Sequence, residues 1–252
     1  MSEVGYQSHH QRALDIKYNS LDGFIESLKK GVFEEYEVFK SLGLYDEKNE
    51  RQQISSGILQ IENELYDSIR PKRKGASETR PIELLSTQGI EYVEVRGIDL
   101  SPNTLTGISK SEMRLLDVFL IHCLITESES VSQSEYDEMN KNYVTAIHSG
   151  SDLDQKLSFN GSKLSIRNKI SNISNELLMI AKELNSIDPE FEKSVSDCLN
   201  MENKSRQLLN NILGSDNSFT ENILQESINK MNSLKGAKLK NEAILELSLI
   251  HI

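Results

Sequence analysis

The sequence predicts an α+β chain, with strands in its first half and helices throughout its second. Three observations carry that prediction. Residues 54–69 read as a strand, alternating from Gly57 to Tyr66, and residues 89–99 carry the densest β signal of the chain. After residue 108 the apolar spacing changes to about 3.6 and stays there. The longest mostly apolar run, 115–125, is short for a bilayer and is broken by Asp117 and His122, so the helices belong to a water-exposed fold. The expected organisation is a sheet-bearing region over 1–108 and a helical region over 109–252.

Residues 1–20 read as a polar loop. His9 and His10 are adjacent and would point to opposite faces of an extended segment, a poor metal site. A helix is expected over 21–42, capped by Asp22, with a break at Gly31 and a stop at Gly43. Residues 54–69 read as a strand. In it Leu59, Ile61 and Leu65 share one face, and Gln60, Glu62, Glu64 and Tyr66 share the other. Arg70-Pro71-Lys72-Arg73-Lys74 then reads as a mobile basic loop. A short helix begins at Pro81 and ends at Gly89. The strand that follows puts Glu94 and Arg96 on one face and Val93 and Val95 on the core side. Helices follow over 109–126, with Leu115, Leu116, Val118, Phe119, Leu120, Cys123 and Leu124 buried, and over 132–148. A Ser- and Asp-rich loop covers 150–160. The helical pattern resumes over 162–185, 190–201, 204–213, 220–231 and 237–252.

The net charge of −11 argues against a general nucleic-acid binder, which needs a positive footprint. Two cysteines give neither a disulfide framework nor metal-ligand spacing, and Cys123 is expected as a buried thiol in a reducing, cytoplasmic compartment. Residues 1–6 lack a basic start and an apolar core, so no signal peptide is expected. No P-loop, GxGxxG, GxSxG, HExxH or paired CxxC is present.

Glu94 and Arg96 carry two readings, a surface ion pair and part of a phosphate and metal site. Glu94 and Arg96 lie about 6.5 Å apart on one strand face. As a surface ion pair they are worth less than about 1 kcal/mol. As a site, Glu94 offers a hard oxygen to magnesium and Arg96 a fork to a phosphoryl group. The basic stretch is a local positive patch on an acidic protein and could focus an anionic substrate.

The run Leu59-Gln60-Ile61-Glu62-Asn63-Glu64-Leu65-Tyr66-Asp67-Ser68-Ile69-Arg70-Pro71-Lys72-Arg73 resembles glutamate–cysteine ligase of the proteobacterial type. Gly89-Ile90-Glu91-Tyr92-Val93-Glu94-Val95-Arg96-Gly97-Ile98-Asp99 resembles that family's second strong motif, and Leu115-Leu116-Asp117-Val118-Phe119-Leu120 the helix after it. The resemblance implies a glutamine-synthetase-like antiparallel sheet, incomplete here, followed by a helical region. It implies ATP and Mg2+ as cofactors and glutamate and cysteine as substrates, joined through a γ-glutamyl phosphate at the first step of glutathione synthesis. Glu94 falls on a magnesium ligand and Arg96 on the arginine holding the transferred phosphoryl group. Tyr6 and Tyr66 fall on tyrosines lining the cysteine site, and Arg70 and Arg73 match the basic loop, where phosphate binding is expected. The family's other magnesium carboxylates have no counterpart here, and residues 1–6 resemble an internal segment. The expectation is a monomeric C-terminal portion with little activity alone. Two further readings stand beside it: a non-catalytic helical interaction module over 109–252, and a fragment that binds ATP without catalysis.

Overall fold

The structure is a computed structural model and describes residues 10–76, 78–98, 100–101, 104–150, 152–200 and 219–235. The helices expected over 204–213 and 237–252 lie outside these residues, as does the link between His9 and its neighbours. The chain divides into two compact units. The first holds residues 1–99, 128–149 and 158–162, and the second holds 100–127, 150–157 and 163–252.

In the first unit, α1 (Leu21–Phe33) is capped by Ser20, whose hydroxyl accepts from Gly23 N, rather than by Asp22 in its first turn. Its apolar face supplies Phe24, Ile25, Leu28 and Val32 to a core completed by Leu59, Leu65, Ile82 and Leu85. Gly31 does not break the helix; it lets Leu59 pack against it. The break comes after Phe33, and α2 (Glu37–Leu42) ends at Gly43, which has φ +75°.

The strand expected over 54–69 does not form. Leu59 and Leu65 are buried as expected, but Ile61 is exposed, and Glu62–Glu64 make a 3-10 turn. Side chains take over the backbone partners that a ladder would need. Gln60 Oε1 accepts from Ile54 N and Ser55 N, and Gln60 Nε2 donates to Ser55 O. The Glu64 carboxylate accepts from Gln60 N. At Gly57 a Cβ would collide with the Val32 carbonyl, so the segment lies tight against the end of α1.

Strand β1 (Ile69–Lys72) begins where the expected one should have ended, and it takes in Arg70, Pro71 and Lys72 of the supposed mobile loop, while Arg73 and Lys74 follow it. After α3 (Pro81–Gln88), Gly89 at φ +75° turns the chain into β2 (Tyr92–Val95), which pairs antiparallel with β1. Val93 and Val95 are exposed rather than facing a core. Helix α5 (Gln133–Ser149) also belongs to this unit.

In the second unit, α4 (Lys110–Ile125) starts at a full Ser109–Glu112 capping box. Only Val118 of its broad apolar stripe is fully buried; Phe119 and Leu124 are exposed, and so is Cys123. One helix face cannot cover so wide a stripe. Val118 packs with Leu177 and Ala181 of α6 (Ile166–Leu184) and Val195 of α7 (Phe191–Leu199). Helix α8 (Phe219–Lys235) follows. The loop expected over 150–160 instead contains β3 (Lys156–Phe159), which pairs with β4 (Ser162–Ser165) around an Asn160-Gly161 turn, both residues at positive φ, and residues 158–162 of this hairpin belong to the first unit. Among the described residues no helix is long and apolar enough to cross a membrane.

Candidate functional site

The β1–β2 register sets Arg70 opposite Glu94 and Lys72 opposite Tyr92. Directly opposed residues and those two apart share a face, so Arg70, Lys72, Tyr92, Glu94 and Arg96 line one side of this two-stranded sheet. Ile69, Pro71, Val93 and Val95 line the other. The anchor for Arg96 is its own N–H, which donates to Ser68 O at 2.7 Å.

Arg96 Nη2 donates to Glu94 Oε1 at 3.1 Å, and the Arg96 guanidinium lies 5.9 Å from the Tyr66 ring centroid. The second carboxylate oxygen, Glu94 Oε2, is shielded from solvent and has no hydrogen-bond partner. Lys72 Nζ stands 3.9 Å from it and 3.3 Å from Asn63 Oδ1. The Arg96 hydrogen bond holds the Glu94 carboxyl below its ordinary range, and the charges of Arg96, Lys72 and Arg70 add to this. Burial lowers the pKa of Lys72, with Arg70 reinforcing it. Burial lowers that of Arg70 as well, with Arg96 reinforcing it.

Arg70 and Arg73 have specific structural duties. Arg70 is 4% exposed and donates to the carbonyls of Asn63 and Glu62, which pins the 3-10 turn. Arg73 donates to the carbonyls of Gln88 and Gly89 and to Gln88 Oε1, closing the C-terminal end of α3. Glu62, expected on a polar strand face with Glu64 and Tyr66, is instead buried against Arg80 Nε at 2.8 Å. Tyr66 is exposed beside Arg96, and Tyr6 lies outside the described residues.

A cavity of about 340 Å³ adjoins this face. Arg70, Lys72, Arg73 and Tyr92 line it on one side, and Phe24, Leu28 and Leu85 on another. Sequence reasoning singled out neither Lys72 alone nor Tyr18. Tyr18 donates its phenol to Asp67 Oδ2 at 2.6 Å and to Ile69 O at 3.0 Å, bracing the entry to β1. The two-residue spacing of Arg70 and Lys72 would have put both on one strand face, had β1 been recognised. Tyr18 left no local signal, because its partners are 49 and 51 residues away.

The glutamate–cysteine ligase family matches residues 1–146 of the chain. The ligase of Pseudomonas savastanoi pv. phaseolicola is 35% identical over 184 residues, which cover 73% of this chain and 34% of the relative. This chain belongs to the glutamate–cysteine ligase family. The ligase of Pseudomonas putida is 31% identical over 252 residues, covering 96% of this chain and 47% of the relative. A crystal structure of the Francisella tularensis ligase in complex with AMP superposes with a TM-score of 0.83 at 26% identity, covering 98% of this chain and 49% of that one. The chain thus spans about half the length, or less, of the family members it matches. Its mixture of helices and small sheets is a fold found in this ligase family.

Proposed function

We propose that this chain contributes a phosphoryl-transfer wall to an ATP-dependent glutamate–cysteine ligase of the cytoplasm, at the first step of glutathione synthesis. ATP phosphorylates the γ-carboxylate of glutamate and leaves as ADP. The amine of cysteine then attacks the acyl carbon, forms the γ-glutamyl amide bond, and expels phosphate. The observation that carries this reading is the Glu94–Arg96 pair on a cation-rich sheet face, in a chain of this family.

Arg96 meets the transferred phosphoryl group, where its fixed fork stabilises charge that grows during transfer. The Glu94 bond and the Tyr66 ring hold that fork in place. Tyr66, with Tyr6, lines the cysteine side. Arg70 and Arg73 contribute positive charge around the phosphates while their backbone bonds shape the cavity wall. Glu94 Oε2 suits a magnesium ion, since it is a hard oxygen with no hydrogen bond of its own. Among the described residues no group of three or more His, Cys, Asp or Glu side chains is placed to hold a metal. That fits an ion bound through one carboxylate together with substrate phosphates and water. When bound, the ion would neutralise phosphate charge.

We also read β1 and β2 as part of an antiparallel sheet of the glutamine-synthetase type. The antiparallel register and the exposed Val93 and Val95 face support this, because two strands alone are marginal.

The test is formation of γ-glutamylcysteine from ATP, glutamate and cysteine, measured by mass spectrometry. It is run with this chain alone and with this chain substituted for the matching segment of the Pseudomonas putida ligase. The substituted enzyme is expected to make product, and its Arg96→Ala variant to lose orders of magnitude in rate. Unchanged turnover in that variant would remove Arg96 from the reaction.

A further inference from the structure

We propose that Lys72 is a phosphate-binding residue of this site, its ammonium group meeting the terminal phosphates of a nucleoside triphosphate beside Glu94 and Arg96. This inference rests on the nucleotide reading above and adds to it a residue that the family resemblance did not single out.

The first support is which donors are already engaged. The basic stretch 70–74 supplies four cations, but they are not equivalent. Arg70 is buried and bonded to two carbonyls. Arg73 is bonded to the end of α3. Lys74 lies past the end of β1 and is exposed, with its backbone N–H, not its ammonium, donating to Glu91 Oε2. Lys72 differs. An ammonium group has three N–H donors, and among the described residues only Asn63 Oδ1, at 3.3 Å, lies within hydrogen-bond reach of Lys72 Nζ. Glu94 Oε2 at 3.9 Å is close enough to attract it but too far to accept a hydrogen bond.

The second support is charge. On this face Arg70, Lys72 and Arg96 surround one carboxylate, Glu94. With Asp67 also acting on Arg70, three positive groups against two negative ones still leave an excess that a polyanion matches. The like charges act on one another, since Arg70 and Arg96 both disfavour the charged form of Lys72. A phosphate accepting from Lys72 and Arg96 together relieves that repulsion.

The third support is position. The Lys72 side chain is 20% exposed, so it is partly dried yet reachable. It also lines the cavity of about 340 Å³, beside Tyr92. A donor at that place, 3.9 Å from the carboxylate that Arg96 grips, lies next to the transferred phosphoryl group rather than out at solvent.

The experiment is isothermal titration of the 252-residue chain, wild type and Lys72→Met, with ATP, inorganic tripolyphosphate and AMP in magnesium buffer. Lys72→Met is expected to bind ATP and tripolyphosphate on the order of 10- to 100-fold more weakly, the loss of one charge-assisted hydrogen bond. AMP, which lacks the terminal phosphates, should change by less than about threefold, well within one such bond. Lys72→Arg should keep most of the ATP affinity. Lys40→Met, a cation on α2 paired with Glu35, controls for net charge. Should Lys72→Met lose its near-UV circular dichroism, Lys72→Gln replaces it.

ATP binding that is unchanged in Lys72→Met would overturn the Lys72 role and leave the nucleotide reading standing. Equal losses for AMP and ATP would also overturn it, because they indicate a structural role. Lys72-dependent binding of tripolyphosphate with no gain from adenosine would keep Lys72 as a phosphate ligand and remove the nucleotide reading. No binding of any probe to the wild type would overturn both.

Discussion

Arg96 Nη2 and Glu94 Oε1, two residues apart at the end of β2, are joined by a 3.1 Å hydrogen bond that fixes the fork of one and the charge of the other. Removing the guanidinium should therefore be felt first at the carboxyl. Glu94 has a folded pKa below its unfolded value, so its contribution to stability is present above the unfolded pKa and is lost as pH falls through the folded one. In Arg96→Met the Glu94 carboxyl should titrate at higher pH than in wild type, followed by carbon-13 NMR of the side chain. An unchanged midpoint would mean that Lys72 and Arg70, not Arg96, set the charge of Glu94.

Leu59 is fully buried, and its N–H donates to Gly31 O at 2.8 Å, so one residue ties segment 54–65 to α1 by packing and by hydrogen bonding. Leu59→Ala leaves the backbone bond and removes the packing. It should cost about 2–5 kcal/mol, read from urea unfolding. Ile61→Ala, two residues on but exposed, should cost far less, within about 0.5 kcal/mol. Similar losses at both positions would restore the strand face on which the sequence put them together.

That pair of residues also shows what was legible. Helix ends with chemical punctuation could be read directly: Pro81 and Gly89 bound α3, and Gly43 ends α2. The Glu94–Arg96 pairing followed from strand geometry alone. The false strand arose because 57–66 alternates in type while its backbone partners are captured by Gln60 and Glu64, and alternation says nothing of such capture. Ending the expected strand at residue 69, where β1 begins, hid the face shared by Arg70 and Lys72. The burial of Arg70 was illegible for a different reason: a cation in a basic run looks solvated until its carbonyl partners are known. The Asn160-Gly161 turn was the opposite case, a strong hairpin signal outweighed by the polar composition around it.

Glu138 of α5 holds that turn. Its carboxylate accepts from Ser158 Oγ and from the N–H groups of Asn160 and Gly161, and the Ser158 bond above all keeps its pKa low. Protonation would forfeit these bonds, so the tip of the hairpin should loosen as pH falls through the folded pKa of Glu138. Hydrogen exchange at Asn160 and Gly161 should accelerate in Glu138→Ala at neutral pH. In wild type the protection of these amides, relative to their intrinsic exchange at each pH, should fall only in acid. Protection that survives the substitution would assign the turn to its own backbone geometry.

Tyr18 gives the last test, at the other end of the site. Its phenol is shared between Asp67 Oδ2 and the Ile69 carbonyl, and its backbone N–H donates to Tyr136 Oη at 2.8 Å. Burial of the phenol, then the Asp67 hydrogen bond and charge, drives its pKa well above the ordinary tyrosine value. Ionisation would put two anions together, so the folded chain keeps Tyr18 protonated. The folded pKa is raised, so the contribution to stability is full below the unfolded value near 10 and declines as pH rises beyond it. Spectrophotometric titration at 295 nm should thus give the same curve for wild type and Tyr18→Phe until the chain unfolds. The variant should unfold at lower urea concentration at neutral pH, since Asp67 Oδ2 loses a donor, and the gap should narrow in alkali. A tyrosinate signal missing from Tyr18→Phe well below the unfolding pH would show that Tyr18 ionises in the folded state and that Asp67 does not hold its proton.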